Sequence, residues 1–172
     1  MDFRSLIRDV PDFPKPGIVF KDIMPLLAEP TAFRAAVDDL AAWARPRAPQ
    51  LVLGAESRGF ILGGALAHEL GAGFVAARKP GKLPWRTVSV SYALEYGDAI
   101  LELHEDAIAP GTKVLVHDDL LATGGTSAAK IRLVEQLGGE VVGVCFLVEL
   151  DFLHGRDALA GHDVHALVHY DA

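Results

Sequence analysis

The chain of 172 residues has one cysteine, Cys145, and a single thiol cannot close an intrachain disulfide. Stability therefore has to come from a packed core, and the expected compartment is a reducing one, the cytoplasm. Long apolar runs are missing too. Although 51% of the residues are hydrophobic, no stretch approaches the roughly 20 residues of a membrane-spanning helix, and Met1 to Val10 lacks a signal-peptide layout. Positive charge is scarce: 16 Lys and Arg against 23 Asp and Glu give a formal net charge of -7. That balance argues against nucleic acid or a membrane surface as a partner. Any site for a polyanion has to gather its own cations. With no repeat, low-complexity tract or linker, residues 1–172 read as a single domain with room for a real core.

What the chain does have is alternation. Strand-like runs at 51–55, 73–77, 113–117 and 141–148 alternate with helical periodicity at 31–45, 59–70 and 125–137. The pattern predicts an α/β fold, a central, mostly parallel sheet flanked by helices. Runs at 87–92 and 99–103 have no helix between them and predict a hairpin turning through Gly97 and Asp98, and VHALVHY predicts a closing edge strand. Thr31 after Pro30 is the expected cap of the first long helix, and Gly138 is placed to end the last. The first 30 residues carry Pro11, Pro14, Pro16, Pro25 and Pro30, leaving room only for a short helix around Phe3 to Asp9. Their apolar side chains have to cover something, as a small hood.

Residues 114–126, VLVHDDLLATGGT, concentrate the chemistry. A buried strand leads into two adjacent carboxylates, Asp118 and Asp119, and then Thr123, Gly124, Gly125 and Thr126 open a helix. A helix start offers unpaired N–H groups and a positive dipole end, so this turn suits a phosphate. The two acids would repel a phosphate at contact distance. They must face sugar hydroxyls or a cation a few ångströms away, and a phosphorylated sugar satisfies both halves. A Walker A loop would need lysine where Gly125 stands, and G-x-G-x-x-G is missing. LVLGAESRGF at 51–60 repeats the logic, with the bidentate-capable Arg58 beside exposed amides, a fit for pyrophosphate. RKPGKLPWR at 78–86 holds four basic residues and no acid, a loop able to close on a polyanion. Trp85 and Arg86 receive no role.

These stretches resemble the phosphoribosyl-pyrophosphate signature of type I phosphoribosyltransferases, and LLATGGT, the hood DFPKPGIVFKDIMPLL and SYALEYG are similar to the adenine-specific branch. The resemblance implies a type I phosphoribosyltransferase fold with a small N-terminal hood and a flexible hairpin loop. It implies a transferase of purine salvage that makes AMP and pyrophosphate from adenine and phosphoribosyl pyrophosphate, a homodimer that uses Mg²⁺ held through substrate oxygens, without direct protein ligands. Ala122, Thr123, Gly124, Gly125 and Thr126 would hold the 5′-phosphate; Asp118 and Asp119 would engage the ribose; Ser57, Arg58, Arg78, Lys79 and Lys82 would hold pyrophosphate. Phe20 and Leu120 would sandwich adenine, with Val19 and the backbone of Lys21 reading its edge. Glu95 would assist proton movement on the base, Tyr96 would cover the closed site, and the Glu56–Ser57 peptide is expected to be strained or cis. His117 departs from the aliphatic residue usual before the acids, and Lys21 from the arginine of some relatives.

Alternatives stay open: transfer to another purine, or a nucleotide-sensing regulator on the same fold. A-E-S-R-G is one residue from a nucleophile elbow, with Asp151 and His162 as conceivable partners of Ser57. His165 and His169, four apart in a strand, stand about 13 Å from one another, too far for one ion, and read as ordinary strand histidines together with His162.

Overall fold

The structure, a computed structural model, describes residues 1–93 and 98–172. Strands β3 (Leu51–Ala55), β4 (Gly73–Ala77), β7 (Lys113–Leu121), β8 (Glu140–Leu150) and β9 (Val164–Tyr170) form one sheet in the order β4-β3-β7-β8-β9. Every neighbouring pair in it is parallel. Helices cover both faces, which explains why β7 and β8 are apolar almost continuously instead of alternating. On one face Leu53, Val114, Val116 and Phe146 pack with Ile131, Leu133 and Val134 of α4 (Gly125–Gln136). On the other, Val52, Leu115 and Cys145 meet Leu40 and Ala44 of α2 (Pro30–Ala44) and Leu66 of α3 (Arg58–Leu70).

The topology determines where a ligand can sit. From β3 the chain passes through α3 to β4 on one side, whereas β7, β8 and β9 are laid down on the other. Strand order therefore reverses between β3 and β7, opening a crevice beyond their carboxyl ends. The two loops singled out in the sequence follow these two strands.

Several elements differ from expectation for local reasons. β7 runs on through Leu121 because Asp118, Leu120 and Leu121 continue the ladder with Phe146, Val148 and Glu149 of β8, so the acids stand in the strand itself. The hood contains more than a short helix. A 3-10 turn at Arg4–Leu6 leads into β1 (Arg8–Pro11), which pairs antiparallel with β2 (Val19–Asp22). Pro11 lies at the end of β1 and Pro14 and Pro16 in its connection, where Asp12 Oδ1 accepts the Gly17 N–H at 2.7 Å and Phe13–Pro14 is cis. After α1 (Met24–Ala28), α2 begins at Pro30, and Glu29, not Thr31, caps it, accepting the Thr31 N–H at 3.0 Å. The hairpin consists of β5 (Thr87–Ala93) and β6 (Asp98–His104); Asp98 pairs with Ala93 in the ladder, and Gly97 lies outside the described residues. Gly138, at φ +78°, ends α4: its N–H reaches the Glu135 carbonyl and that of Gly139 the Val134 carbonyl, the two bonds of a Schellman stop.

Candidate active site

At the switch point both loops line one cleft of about 280 Å³. Ala55, Glu56, Ser57 and Arg58 form one wall; Asp118, Asp119 and Leu120 lead into the other, made of Ala122, Thr123, Gly124, Gly125 and Thr126. Gly124 caps α4 at φ +84°, and a Cβ there would lie 2.4 Å from the Gly155 carbonyl oxygen. Only glycine permits that backbone and that approach. The segment after β8 thus presses the loop into shape from behind, while Thr126 Oγ1 donates to the Tyr92 hydroxyl of β5 at 3.4 Å. Tyr92 was not foreseen as a partner, although it lies in the SYALEYG stretch.

The two acids have different neighbours. Asp118 Oδ2 accepts from Lys130 Nζ at 2.8 Å, Lys130 being fully buried, and Asp118 Oδ1 accepts the Asp119 N–H at 3.1 Å. Asp119 Oδ2 stands 2.9 Å from Arg58 Nε. That contact is an ion pair without hydrogen-bond alignment, and Arg58 Nη1 is buried with no acceptor among the described residues. Burial and the adjacent Asp118 charge push the Asp119 carboxyl up, against the pull of Arg58. Behind the pair His117 is wholly enclosed, its Nδ1 3.5 Å from Cys145 Sγ and its Nε2 without a partner among the described residues. Burial draws its pKa down to about 4, so it stands there neutral.

Arg58 links the acids to the hood. Its guanidinium lies 4.6 Å from the Phe20 ring centre, an aromatic face that packs edge-on against Phe13. In this state the face expected to receive adenine carries an arginine, because a cation over an aromatic ring is favourable once both are partly desolvated. Val19 is exposed on the same strand, and Leu120 is half-buried beside the hood's core, which includes Ile23 and Leu26. The Lys21 side chain does not face the cleft: its Nζ donates to Asp9 Oδ1 at 2.7 Å and lies 4.0 Å from the Tyr170 ring centre. Alternation along β2 turns residue 21 away from the face of residue 20.

Glu56 was missed in the sequence. Its carboxylate accepts from Arg78 Nε and Nη2 at 3.3 and 3.0 Å and from the Lys79 N–H at 2.6 Å, and that backbone bond is the main cause of its lowered pKa. Arg78 also donates to the Lys82 carbonyl at 3.0 Å. It therefore holds the basic loop against the cleft wall and is not a free anion ligand in this state. Lys79 and Lys82 are exposed, and neither ammonium has an ion-pair partner among the described residues. The Glu56–Ser57 peptide is cis. Glu95 and Tyr96 lie outside the described residues.

The serine-hydrolase reading finds no matching geometry among the described residues. Ser57 hydrogen-bonds no histidine among the described residues, and Asp151 instead accepts from His169 Nδ1 at 3.0 Å. Glu149, beside that pair, is held bidentately by Arg156 at 2.7 Å through both nitrogens. His165 stacks on Trp43, ring centres 5.0 Å apart.

Residues 27–165 match the family model of the phosphoribosyl transferase domain. This chain belongs to the phosphoribosyltransferase family, in its adenine phosphoribosyltransferase branch. A curated phosphoribosyltransferase of that branch from Symbiobacterium thermophilum is 60% identical over 170 residues, 99% of this chain and 100% of the relative. Among solved phosphoribosyltransferases, the adenine enzyme of Thermoanaerobacter pseudethanolicus superposes with a TM-score of 0.96 at 49% identity, covering 98% of each chain. The Saccharomyces cerevisiae enzyme, solved with an imino-altritol bisphosphate and adenine, superposes at 0.91 with 37% identity over 96% of each. The type I phosphoribosyltransferase fold is thus the fold of this chain.

Proposed function

We propose that the chain, acting as one unit over residues 1–172 with the hood included, transfers a 5-phosphoribosyl group from phosphoribosyl pyrophosphate to adenine. Adenine N9 forms a bond to ribose C1′ as the C1′–oxygen bond to pyrophosphate breaks; N9 loses its proton, and the products are AMP and pyrophosphate. One observation carries the reading: two amide-lined loops share a single cleft with paired acids between them.

In this reading the 5′-phosphate docks on the N–H groups of Ala122 to Thr126 and on the Thr123 and Thr126 hydroxyls, at the positive end of α4. Asp118 and Asp119 accept from ribose hydroxyls and favour positive charge developing on the ring. The buried Arg58 Nη1, without an acceptor among the described residues, is a donor suited to a pyrophosphate oxygen, with Ser57, Lys79 and Lys82 completing that end and Arg78 holding the basic loop. When Arg58 turns to pyrophosphate it uncovers Phe20, and adenine stacks between Phe20 and Leu120, its edge meeting the backbone of Val19 and Lys21. Glu95 assists departure of the N9 proton and Tyr96 covers the site.

The described cleft carboxylates, Glu56, Asp118 and Asp119, each have a basic partner. That donor set suits Mg²⁺ bound mainly through substrate oxygens, where the ion would neutralise charge on the departing pyrophosphate. A reducing cytoplasm agrees with the lone, buried thiol of Cys145, and no helix of the described chain is long and apolar enough to cross a membrane. A homodimer agrees with exposed Phe13, Ile18 and Trp85 on the hood and basic loop.

The deciding test is pyrophosphate release with phosphoribosyl pyrophosphate and adenine, hypoxanthine, guanine or xanthine in turn. Release with adenine at least tenfold above the others is expected. Preference for another purine reassigns the base, and no release with any returns the regulator reading.

A further inference from the structure

α4 buries a lysine on the face it turns toward β7. Lys130 has no exposed surface, and its ammonium donates to the His117 carbonyl oxygen at 2.7 Å and to Asp118 Oδ2 at 2.8 Å. An enclosed ammonium is costly unless charge and hydrogen bonds compensate it, so a residue of this kind in a core position needs a reason. Ser127, Ile131 and Val134 share that side of the helix and are buried as expected for packing. Lys130 is the cation among them. It stands behind the cleft and does not line it.

Its ion pair leads to one group. The carboxylate of Asp118 is held at Oδ2 by Lys130, at Oδ1 by the Asp119 N–H, and from a third side by α3, where a Cβ on Gly59 would lie 2.5 Å from Oδ1. Asp119, by contrast, depends on Arg58, a residue of the cleft wall that is still a third exposed. One acid is thus tied to a cation that substrate cannot reach, and the other to a cation that substrate can recruit. Two adjacent carboxylates would also repel a polyanionic substrate, and an ammonium enclosed at their back offsets one of those charges with little screening.

We propose that Lys130 is a positioning residue for phosphoribosyl transfer: it holds Asp118 in place and offsets its charge, so that the ribose of phosphoribosyl pyrophosphate meets a ready acceptor. This rests on the reading of Asp118 as the group that accepts from ribose hydroxyls. Lys130 itself touches no substrate, and its effect falls on the pyrophosphate-bearing substrate, not on the base.

The test is steady-state kinetics of Lys130→Met, Asp118→Asn and the double variant, each first shown to fold by circular dichroism and a cooperative melt. Lys130→Met should raise KM for phosphoribosyl pyrophosphate about tenfold and lower kcat, with KM for adenine within about twofold of the parent, a split that loose packing alone does not produce. In the Asp118→Asn background the same change should cost less than about threefold in kcat/KM, because the partner through which it acts is gone. If Lys130→Met does not fold, Lys130→Gln, which keeps a donor without the charge, takes its place. Parental kinetics in Lys130→Met beside an impaired Asp118→Asn, or losses that simply multiply, overturn the proposal. Parental kinetics in Asp118→Asn overturn the acceptor role beneath it.

Discussion

The loop after β7 and the loop after β3 are built from the same parts, a buried strand, a tight turn and a helix start, yet they are finished to different degrees. The first is braced from every side: Gly155 packs on Gly124, Tyr92 meets Thr126, and Lys130 ties Asp118 to α4. The second is turned on its own surroundings. Arg58 lies between Asp119 and Phe20, and Glu56 is taken up by Arg78 and Lys79. In the proposed reaction the first loop grips the 5-phosphoribosyl group, which is common to substrate and product. The second meets what arrives and leaves, pyrophosphate and base. A group present throughout is best met by a preorganised surface, whereas a site that must open for exchange needs contacts that can be traded for others.

Replacing both acids by Asn tests whether the braced loop takes part in the chemistry at all. Removing one preorganised donor from an oxyanion hole costs about 10²–10³-fold in kcat, and two acids facing a developing positive centre stabilise charge in the same way with the sign reversed. Adenine-dependent pyrophosphate release should fall by at least that factor, and unchanged turnover would leave the bracing without a catalytic purpose.

His117→Val examines the sealed floor beneath the same loop. A histidine with a folded pKa of about 4 binds fewer protons than its unfolded form, whose pKa is about 6.5, throughout the interval between them. The stability linked to its neutral form is therefore complete above pH 6.5 and lost as pH falls toward 4. The two values bound the change at about 3 kcal/mol. Urea unfolding across this range should show a shallower fall for His117→Val than for the parent, and parallel curves would mean that water or a conformational change already reaches the ring.

Arg58→Lys sharpens the other side of the contrast. Lysine keeps a charge opposite Asp119 but lacks the planar fork and the donor left free at Nη1. KM for phosphoribosyl pyrophosphate should rise about tenfold, the worth of roughly one charge-assisted hydrogen bond, with the melting temperature nearly unchanged. A large drop in melting temperature with unaltered KM would make Arg58 a structural strut, and the two loops would then be equally rigid.

How much of this was legible beforehand varied with the range of the interaction involved. The strands at 51–55 and 73–77 match β3 and β4 residue for residue, because a short apolar run flanked by turns carries its own signal. The hood hairpin is hidden because its strands are four residues each and are joined by a proline-bearing connection with no standard turn signature. β7 was read as too short because two aspartates look like a strand end, whereas here Lys130 and Arg58 compensate their charge within the ladder.

Adjacency in the chain determined a good deal by itself. Two tight turns that each carry an apolar strand into a helix start mark two places where an anion could dock, since the orphan amides of a helix start are a local property. One acid pair and one basic loop follow from residue order alone. The tertiary structure decided which side chains those groups already hold. Lys130 reaches Asp118 across twelve positions, Arg58 reaches Asp119 across sixty-one, and Gly155 comes to Gly124 across thirty-one. Such pairings depend on how the sheet is ordered and which helix crosses it, and nothing in the local spacing of charges records that.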